Sequence, residues 1–471
     1  MADQLDAVDC RVPFRVEDPE RIPAPRYYSQ EFYQAEVDKL WPRVWQMACR
    51  LEQIPEVGDW VEYSNLGSSV IVVRTPDGVK AYQNACRHRG VPIAGGNGNG
   101  FGNCSEAGFV CPFHGWRWNM HGENTHVFGK GLFSGRQLDA DDLRLRSCRV
   151  ETAIGCAFIN YDDEAPSLRD CIGPLLDRLE LRGVGRLRAE WWYGTHLPAN
   201  WKIAMEAFME GYHVKTTHPQ LHKAAPMIFE GRYAGAEEGR NFALPVDPAL
   251  SARDNILAHF RQLELTSAGM AGMVHAKEVA IARELLDIEL PEEPDQAFLG
   301  WFGRLQEEVT TQLRARGEPV PDLNEMAVAA PLEAVEFLFP HYFLLPSLTS
   351  YSSYRIRPTG PESCFFETWS LTFFPEGEEP DAPMEPTLLP YDSMEFPVIP
   401  RQDYANIPNQ QIGVHAPGFE FMRLSQHVEG MISNYQRLID GYIQGLDPVT
   451  LGKGAAVTCS GFDAPVLDIG F

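Results

Sequence analysis

The chain has no run of about 18 apolar residues, the minimum that carries a helix across a bilayer, so no membrane span is expected. Its start, Met1-Ala-Asp-Gln-Leu-Asp6, lacks the basic and then apolar stretches of a secretory signal, and a cytoplasmic location is expected. Basic residues are scarce: 40 Lys and Arg stand against 65 Asp and Glu, a formal charge of −25. Such a surface repels a phosphate backbone, which argues against a nucleic-acid partner. No H-E-x-x-H string is present, which removes the zincin reading. The glycines from Gly95 to Gly102 have neither the G-x-G-x-x-G spacing nor a G-K-[ST] ending, so they read as a flexible loop insertion rather than a nucleotide cradle. What remains is ordinary for a globular protein: 471 residues, 44% hydrophobic and 22% charged, enough for two or three domains. Without an export signal, the ten cysteines are expected as thiols unless a metal holds them.

Two cysteines stand out because each is paired with a histidine. Cys86-Arg-His88-Arg-Gly90 is followed, after 22 residues (89 to 110), by Cys111-Pro-Phe-His114-Gly-Trp116. Two thiolates and two imidazoles form the ligand set of a Rieske [2Fe–2S] centre, in which two histidines replace two cysteines on one iron. Tetrahedral zinc takes the same elements, but zinc pairs usually keep like ligands together, and here they are mixed. Gly90 and Gly115 permit left-handed turns just past each pair. Cys104, seven residues before Cys111, is expected as a packing residue because the two pairs already complete a cluster.

Organisation follows from pattern. Residues 41–165 read as β-rich: Val70–Val73 and Val79–Tyr82 flank a Pro76-Asp77-Gly78 turn, and the first ligand pair comes directly after. Residues 1–40 are expected as an N-terminal segment packed on a second domain, 166–471. Within that domain Leu168–Leu181 has helical spacing, and residues about 225–335 form a helical insertion. In the insertion Ile256 to Leu263, and Phe298, Phe302, Leu305, Val309 and Leu313, recur every three or four residues. Strand character returns at Phe337–Arg357 and Phe365–Phe373. Pro375–Pro400 is expected to be irregular, and a last helix to span about Phe419–Gln444.

A second string carries chemistry: Asn200-Trp-Lys, then Glu206, Glu210, His213, His218 and Pro219. On one helix Glu206, Glu210 and His213 share a face. Pro219 disfavours helix at His218, which frees that imidazole to swing inward. Two histidines and one carboxylate with open positions form the facial triad of non-haem Fe(II) oxygenases.

With both strings in place, the chain resembles the catalytic (α) subunit of the Rieske non-haem iron oxygenases, the ring-hydroxylating family, over about residues 30–445. The resemblance implies that Cys86, His88, Cys111 and His114 hold the cluster, and His213 and His218 the catalytic iron. Glu210 falls where the family has a carboxylate bridging an iron-ligand histidine to a cluster histidine of the neighbouring subunit. It further implies an α+β architecture: an all-β Rieske domain plus a helix-grip catalytic domain, an antiparallel sheet over a long C-terminal helix. A homotrimer, or an α3β3 assembly, is implied as well. Asp403, in Arg401-Gln-Asp-Tyr404, resembles the family's third iron ligand, with Glu420 and Glu429 as runners-up. Two departures stand out: a ligand gap several residues longer than usual, and a long stretch between His218 and the C-terminal carboxylate.

The expected activity is that of a terminal oxygenase using O2 to hydroxylate, demethylate or cis-dihydroxylate an apolar small molecule. No dinucleotide or flavin fingerprint appears, so NAD(P)H and flavin enter through a separate reductase, with or without a ferredoxin. Glu210 in an E-x-Y-H string leans toward the monooxygenase-like branch, including enzymes of quaternary amines. A Rieske electron carrier without oxygenase activity is the reading from a different class. Phe208, Phe229, Phe337, Phe343 and Leu344 are candidates to line a pocket, although core packing is the commoner role of such residues.

Overall fold

The computed structural model describes residues 11–96, 100–230, 233, 244–270, 272–462 and 464–471. The tip of the glycine loop, Cys10 with the rest of residues 1–10, and part of the segment after residue 230 lie outside these.

The first half is built on a seven-stranded antiparallel sheet, in the order Gln46–Arg50, Cys156–Asn160, Ser147–Ala153, Gly78–Gln83, Ser68–Thr75, Asp59–Asn65, Phe101–Asn103. The interior strand Ser68–Thr75 accounts for the unbroken apolar run Val70–Val73. Ile71 and Val73 face one core, which they share with Cys86, Cys111, Trp116 and Trp118. Val70 and Val72 face the other, with Ile54 and Tyr63. A strand buried on both faces has no polar alternation to show. Three short strands, Phe109–Val110, Arg117–Trp118 and Asn124–His126, form a small sheet that flanks the second ligand pair on both sides in sequence. The glycine loop is anchored at its base: Glu62 accepts hydrogen bonds from the backbone of Gly96 (2.9 Å) and Gly100 (3.2 Å).

The second half carries a six-stranded sheet: Glu336–Leu338, Tyr342–Pro346, Tyr351–Gly360, Ser363–Thr372 and Arg188–Leu197, antiparallel throughout, with Thr387–Leu388 added in parallel. The strand character of Phe337–Arg357 is thus divided among three strands. The helix Gly430–Gln444 lies against this sheet, with Tyr435 and Tyr442 packed on Phe337 and Phe339 at ring separations of 5.6–5.7 Å. It starts later than the sequence pattern suggests. Phe421–Arg423 is instead a strand paired with Arg21–Pro23, and a further helix, Pro448–Thr458, follows. Leu168–Leu181 is two helices, broken where Gly173 takes a left-handed φ of 45°. The interval 375–400 is less irregular than expected, since it holds the short parallel strand and the start of the helix Val398–Gly413.

In chain order, the helices Ala252–Met270, Ala276–Glu284, Pro294–Ala315 and Leu323–Ala329 come between the strands Arg188–Leu197 and Glu336–Leu338. The stripe Leu305, Val309, Leu313 is fully buried, but Phe302 is exposed. Residues 11–40 fold back onto the C-terminal part. There the Arg26 guanidinium bonds Asp440 and Gln436, and Lys202 pairs with Glu36 at 2.7 Å, all of them buried.

Candidate metal centres and active site

The two cysteine–histidine loops have the same hydrogen-bond pattern. In each, the cysteine N–H donates to the carbonyl five residues on: Cys86 to Val91 and Cys111 to Trp116, both 2.8 Å. The glycine N–H donates back to the cysteine carbonyl: Gly90 to Cys86 at 2.9 Å and Gly115 to Cys111 at 3.0 Å. Both glycines are left-handed, with φ of 79° and 71°, a conformation that a side chain disfavours. The loops face each other. His88 Nδ1 and His114 Nδ1 lie 3.2 Å apart, too close for both rings to carry a proton there without repulsion. Cys86 and Cys111 are buried free thiols. Burial raises the Cys86 pKa, and the neighbouring Cys111 adds to the rise. Two thiols inside and two half-buried imidazoles outside, converging from matched turns, fit a two-iron cluster. The ring of His88 stacks on Trp116 at 4.8 Å. Cys104 is a buried thiol in the same core, its pKa pushed up to about 11 by burial, and it packs as expected.

The second centre draws on three elements. Asn200 caps the helix Trp201–Glu206 by accepting from the Lys202 N–H (2.9 Å). That helix stops at Glu206, and turns lead to the short helix Val214–Thr217. Glu206, Glu210 and His213 therefore do not share one helical face. Glu206 turns into the core instead, where Tyr27 donates to its carboxylate (2.9 and 3.0 Å) and Gln436 also donates. Burial pushes the Glu206 pKa up to about 7, against lowering by those donors and by Lys202 and Arg26. Gly211, a weak helix former inside the turn, helps the break. Its space is limited, since a Cβ there would meet the Tyr233 hydroxyl at 2.5 Å.

Beyond the break the geometry closes. His213 donates through Nδ1 to Glu210 Oε1 at 2.8 Å, and its backbone N–H donates to Glu210 Oε2 at 2.9 Å. His218 ends the short helix just before Pro219. It donates through Nδ1 to Gln402 Oε1 at 2.8 Å. The Gln402 amide is in turn locked by reciprocal bonds to the Gln220 amide, at 2.9 and 3.0 Å. With both Nδ1 atoms occupied, both Nε2 atoms point to Asp403 Oδ1, at 3.1 Å from His218 and 3.9 Å from His213. Among the described residues, His213, His218 and Asp403 form a group whose ligand atoms all lie within 4.8 Å of one another. Asp403 Oδ2 is buried with no hydrogen-bond partner. A buried carboxylate oxygen left without a partner beside two imidazole nitrogens is costly unless a cation joins them.

Asp403 lies inside the helix Val398–Gly413. Gln411 of that helix accepts from the Asn200 N–H at 2.8 Å, and Asn406 donates to Thr217 at 3.2 Å, which fixes Asp403 against the histidine segment. Glu420 and Glu429 are not in the group. Sequence reasoning missed Gln402 and Gln220. The only signal was Gln402's place next to Asp403.

A cavity of about 280 Å3 opens on this centre, with Glu210, His213, His218 and Asp403 in its wall. Phe208 and Phe229 line it as anticipated, with Leu221, Met270 and Leu345. Phe337, Phe343 and Leu344 do not line it; they are core, because their strands are covered on both faces. Phe343 supports the lining from behind, its ring 4.9 Å from that of Phe208. The described lining holds no lysine or arginine. No helix of the described residues is long and apolar enough to cross a membrane.

Comparison with known proteins agrees with this geometry. Residues 44–130 match the Rieske [2Fe-2S] domain model, and residues 180–445 match the model of the ring hydroxylating alpha subunit (catalytic domain). The large oxygenase component of the naphthalene 1,2-dioxygenase system of Pseudomonas aeruginosa is 34% identical over 228 residues, 47% of this chain and 48% of that protein. The carnitine monooxygenase oxygenase subunit of Escherichia coli (strain K12) is 29% identical over 202 residues, 42% of this chain and 52% of that protein. The chain thus spans about half the length of the curated relatives it matches. Among solved structures, naphthalene 1,2-dioxygenase with indole bound superposes with a TM-score of 0.63 at 19% identity, covering 96% of this chain and 98% of that one. A quaternary ammonium Rieske monooxygenase in complex with L-carnitine gives 0.54 at 15% identity, covering 92% and 99%. These likenesses show the same fold. With a catalytic-domain match over more than half its length, behind a Rieske domain, the chain belongs to the ring-hydroxylating alpha-subunit family of Rieske oxygenases.

Proposed function

We propose that this chain is the terminal oxygenase of a Rieske system, acting on a neutral, largely apolar molecule of aromatic type. The observation that carries the reading is the orphaned Asp403 oxygen grouped with His213 and His218 in the wall of an apolar cavity. Cys86, His88, Cys111 and His114 would hold the [2Fe–2S] cluster, and His213, His218 and Asp403 the mononuclear Fe(II). When bound, the cluster passes on single electrons and the Fe(II) activates O2. The protein's own part is positional. Glu210 and Gln402 fix both imidazoles with Nε2 facing Asp403, and the apolar wall excludes water and holds the substrate beside them.

Of the relatives' substrates, naphthalene and biphenyl suit this cavity better than carnitine or 2-aminobenzenesulfonate, because a carboxylate or sulfonate would face Glu210 and Asp403 without a basic partner. Glu210 keeps a second reading in play for the reaction type. In an E-x-Y-H string it resembles the monooxygenase-like branch, and hydroxylation and cis-dihydroxylation use the same parts. Electrons would come from a reductase, with or without a ferredoxin. Glu210 would relay them from a neighbouring subunit's cluster in a cytoplasmic homotrimer.

The test is iron counting together with product detection. Metal-replete protein should carry about three Fe per chain, against about two for an electron carrier. With a generic reductase it should yield oxygenated aromatic products detectable by mass. Full iron loading with no product from any neutral aromatic would defeat the substrate assignment, and two Fe per chain would defeat the oxygenase.

A further inference from the structure

The cavity has a second polar group besides the metal centre. Gln262 and Thr266 both line it, one turn apart on the helix Ala252–Met270, with Met270 next on the same face. Thr266 is only 6% exposed. Among the described residues, neither side chain has a hydrogen-bond partner. That is unusual for a buried threonine in a helix, which can satisfy itself on the carbonyl four residues back. Thr310 does so, donating to the Gln306 carbonyl at 2.8 Å. The Thr266 hydroxyl is not sealed in the core but opens on the cavity, where a bound molecule can supply the missing hydrogen bond.

The helix bearing this pair is held closely against the metal centre. At Gly269 a Cβ would lie 3.0 Å from both Ile399 and Val398, so the helix rests directly on the one that carries Asp403. The two polar side chains therefore sit at a fixed offset from the triad, in a wall whose other polar residues, the triad apart, are Glu210 and Tyr233.

We infer that Gln262 and Thr266 form a recognition subsite for one uncharged oxygen group, hydroxyl or carbonyl, on the apolar substrate. This rests on the neutral-aromatic reading above and adds which part of the molecule is held. The amide and the hydroxyl each offer a donor and an acceptor, which match a neutral oxygen. An anionic group is excluded, because the described lining has no cation to receive it. Held this way, the substrate presents its apolar part elsewhere in the cavity, and the subsite sets which carbon reaches the triad.

The test compares naphthalene with 2-naphthol and 2-tetralone, in binding and in product regiochemistry, using iron-replete protein. In Gln262→Met and Thr266→Val the affinity ratio of each oxygenated probe to naphthalene should fall about tenfold, the worth of one hydrogen bond. Thr266→Ser, which keeps the hydroxyl, should hold the wild-type ratio. A response from 2-naphthol alone would assign the subsite to hydroxyls, and one from 2-tetralone alone to carbonyls. Ratios unmoved in both apolar variants, with naphthalene still oxidised, would overturn the subsite and leave the proposed function standing. Wild-type protein that holds its iron but binds none of the three probes would overturn the neutral-aromatic reading, and the subsite with it.

Discussion

The two candidate metal centres are built on different plans. The cluster donors all fall within residues 86–114, on two loops with one hydrogen-bond pattern and one left-handed glycine each. The triad draws His213 and His218 from one segment and Asp403 from a helix nearly 200 positions later (403 − 213 = 190). The first centre is a property of local backbone. The second is a property of tertiary supports: Gln402 and Gln220 behind one histidine, Glu210 behind the other, and Gln411 pinning the helix. Damage to the two should therefore look different.

Removing ligands gives the largest effect and the cleanest separation. His218→Ala or Asp403→Ala should lose about one Fe per chain and all turnover, with the cluster's EPR signal unchanged. Cys86→Ser should lose that signal and all turnover but keep the mononuclear iron. Were Asp403→Ala to keep its third iron and its activity, the carboxylate assignment would be wrong.

The next test separates two carboxylates of one string. Glu206 is held near pKa 7 in the fold against an ordinary 4.5. Between those values the unfolded chain gives up a proton that the native protein keeps. Stability should thus fall as pH rises from about 4.5 to about 7, then level off, by up to ~3 kcal/mol. Glu206→Gln should flatten that decline relative to wild type in denaturant titrations at pH 5 and pH 8, with iron content unaffected. An identical pH dependence in both proteins would place the ionisation elsewhere.

Glu210, four residues on, belongs to the site instead. Glu210→Gln should keep all iron but slow turnover roughly 100-fold, the upper range for a charged support behind a ligating histidine. In single turnovers with substrate and O2 the reduced cluster should stay reduced. Wild-type oxidation of the cluster, or full activity from a strictly monomeric preparation, would refute the relay.

The same contrast governs how much was legible in the sequence. The cluster loops could be read directly because every donor, turn and glycine is contiguous. Asp403 emerged only through family resemblance, and Gln402 not at all, since its pairing with Gln220 exists only after folding. The helix break after Glu206 was hidden because the 3.6-residue spacing of Glu206, Glu210 and His213 suits a helix. In the fold Glu206 is the last helical residue and bonds Tyr27 and Gln436 in the core, and turns take the place of the continued helix. The cavity was half legible: Phe208 and Phe229 face it, but nothing in an apolar run says which face of a doubly covered strand is the pocket.

Gln402 sharpens the comparison further. Its neutral amide gives a weaker hold on His218 than the Glu210 carboxylate gives on His213, so Gln402→Leu should weaken Fe(II) binding about tenfold. Gln402→Glu, which keeps the acceptor, should recover most of it. Iron titration of the apo-protein reads this directly, and unchanged affinity in Gln402→Leu would show the Gln220 pair to be dispensable.

The smallest effect falls on the local centre, and its cause is the backbone alone. Gly115 has φ of 71° and nothing within 4 Å of where a Cβ would stand, so Gly115→Ala meets no neighbour. Its cost is the left-handed conformation, about 1–2 kcal/mol. That strain should appear as easier loss of the cluster on mild heating, while iron in the triad is unaffected. Gly108→Ala adds a clash to the same conformational cost, because Gly108 has φ of 66° and a Cβ there would lie 2.2 Å from the Trp118 carbonyl oxygen. It should destabilise the same region by more than Gly115→Ala does. Equal losses from the two variants would mean that strain in the ligand turn, not the fit of the surrounding loops, limits how firmly the cluster is held.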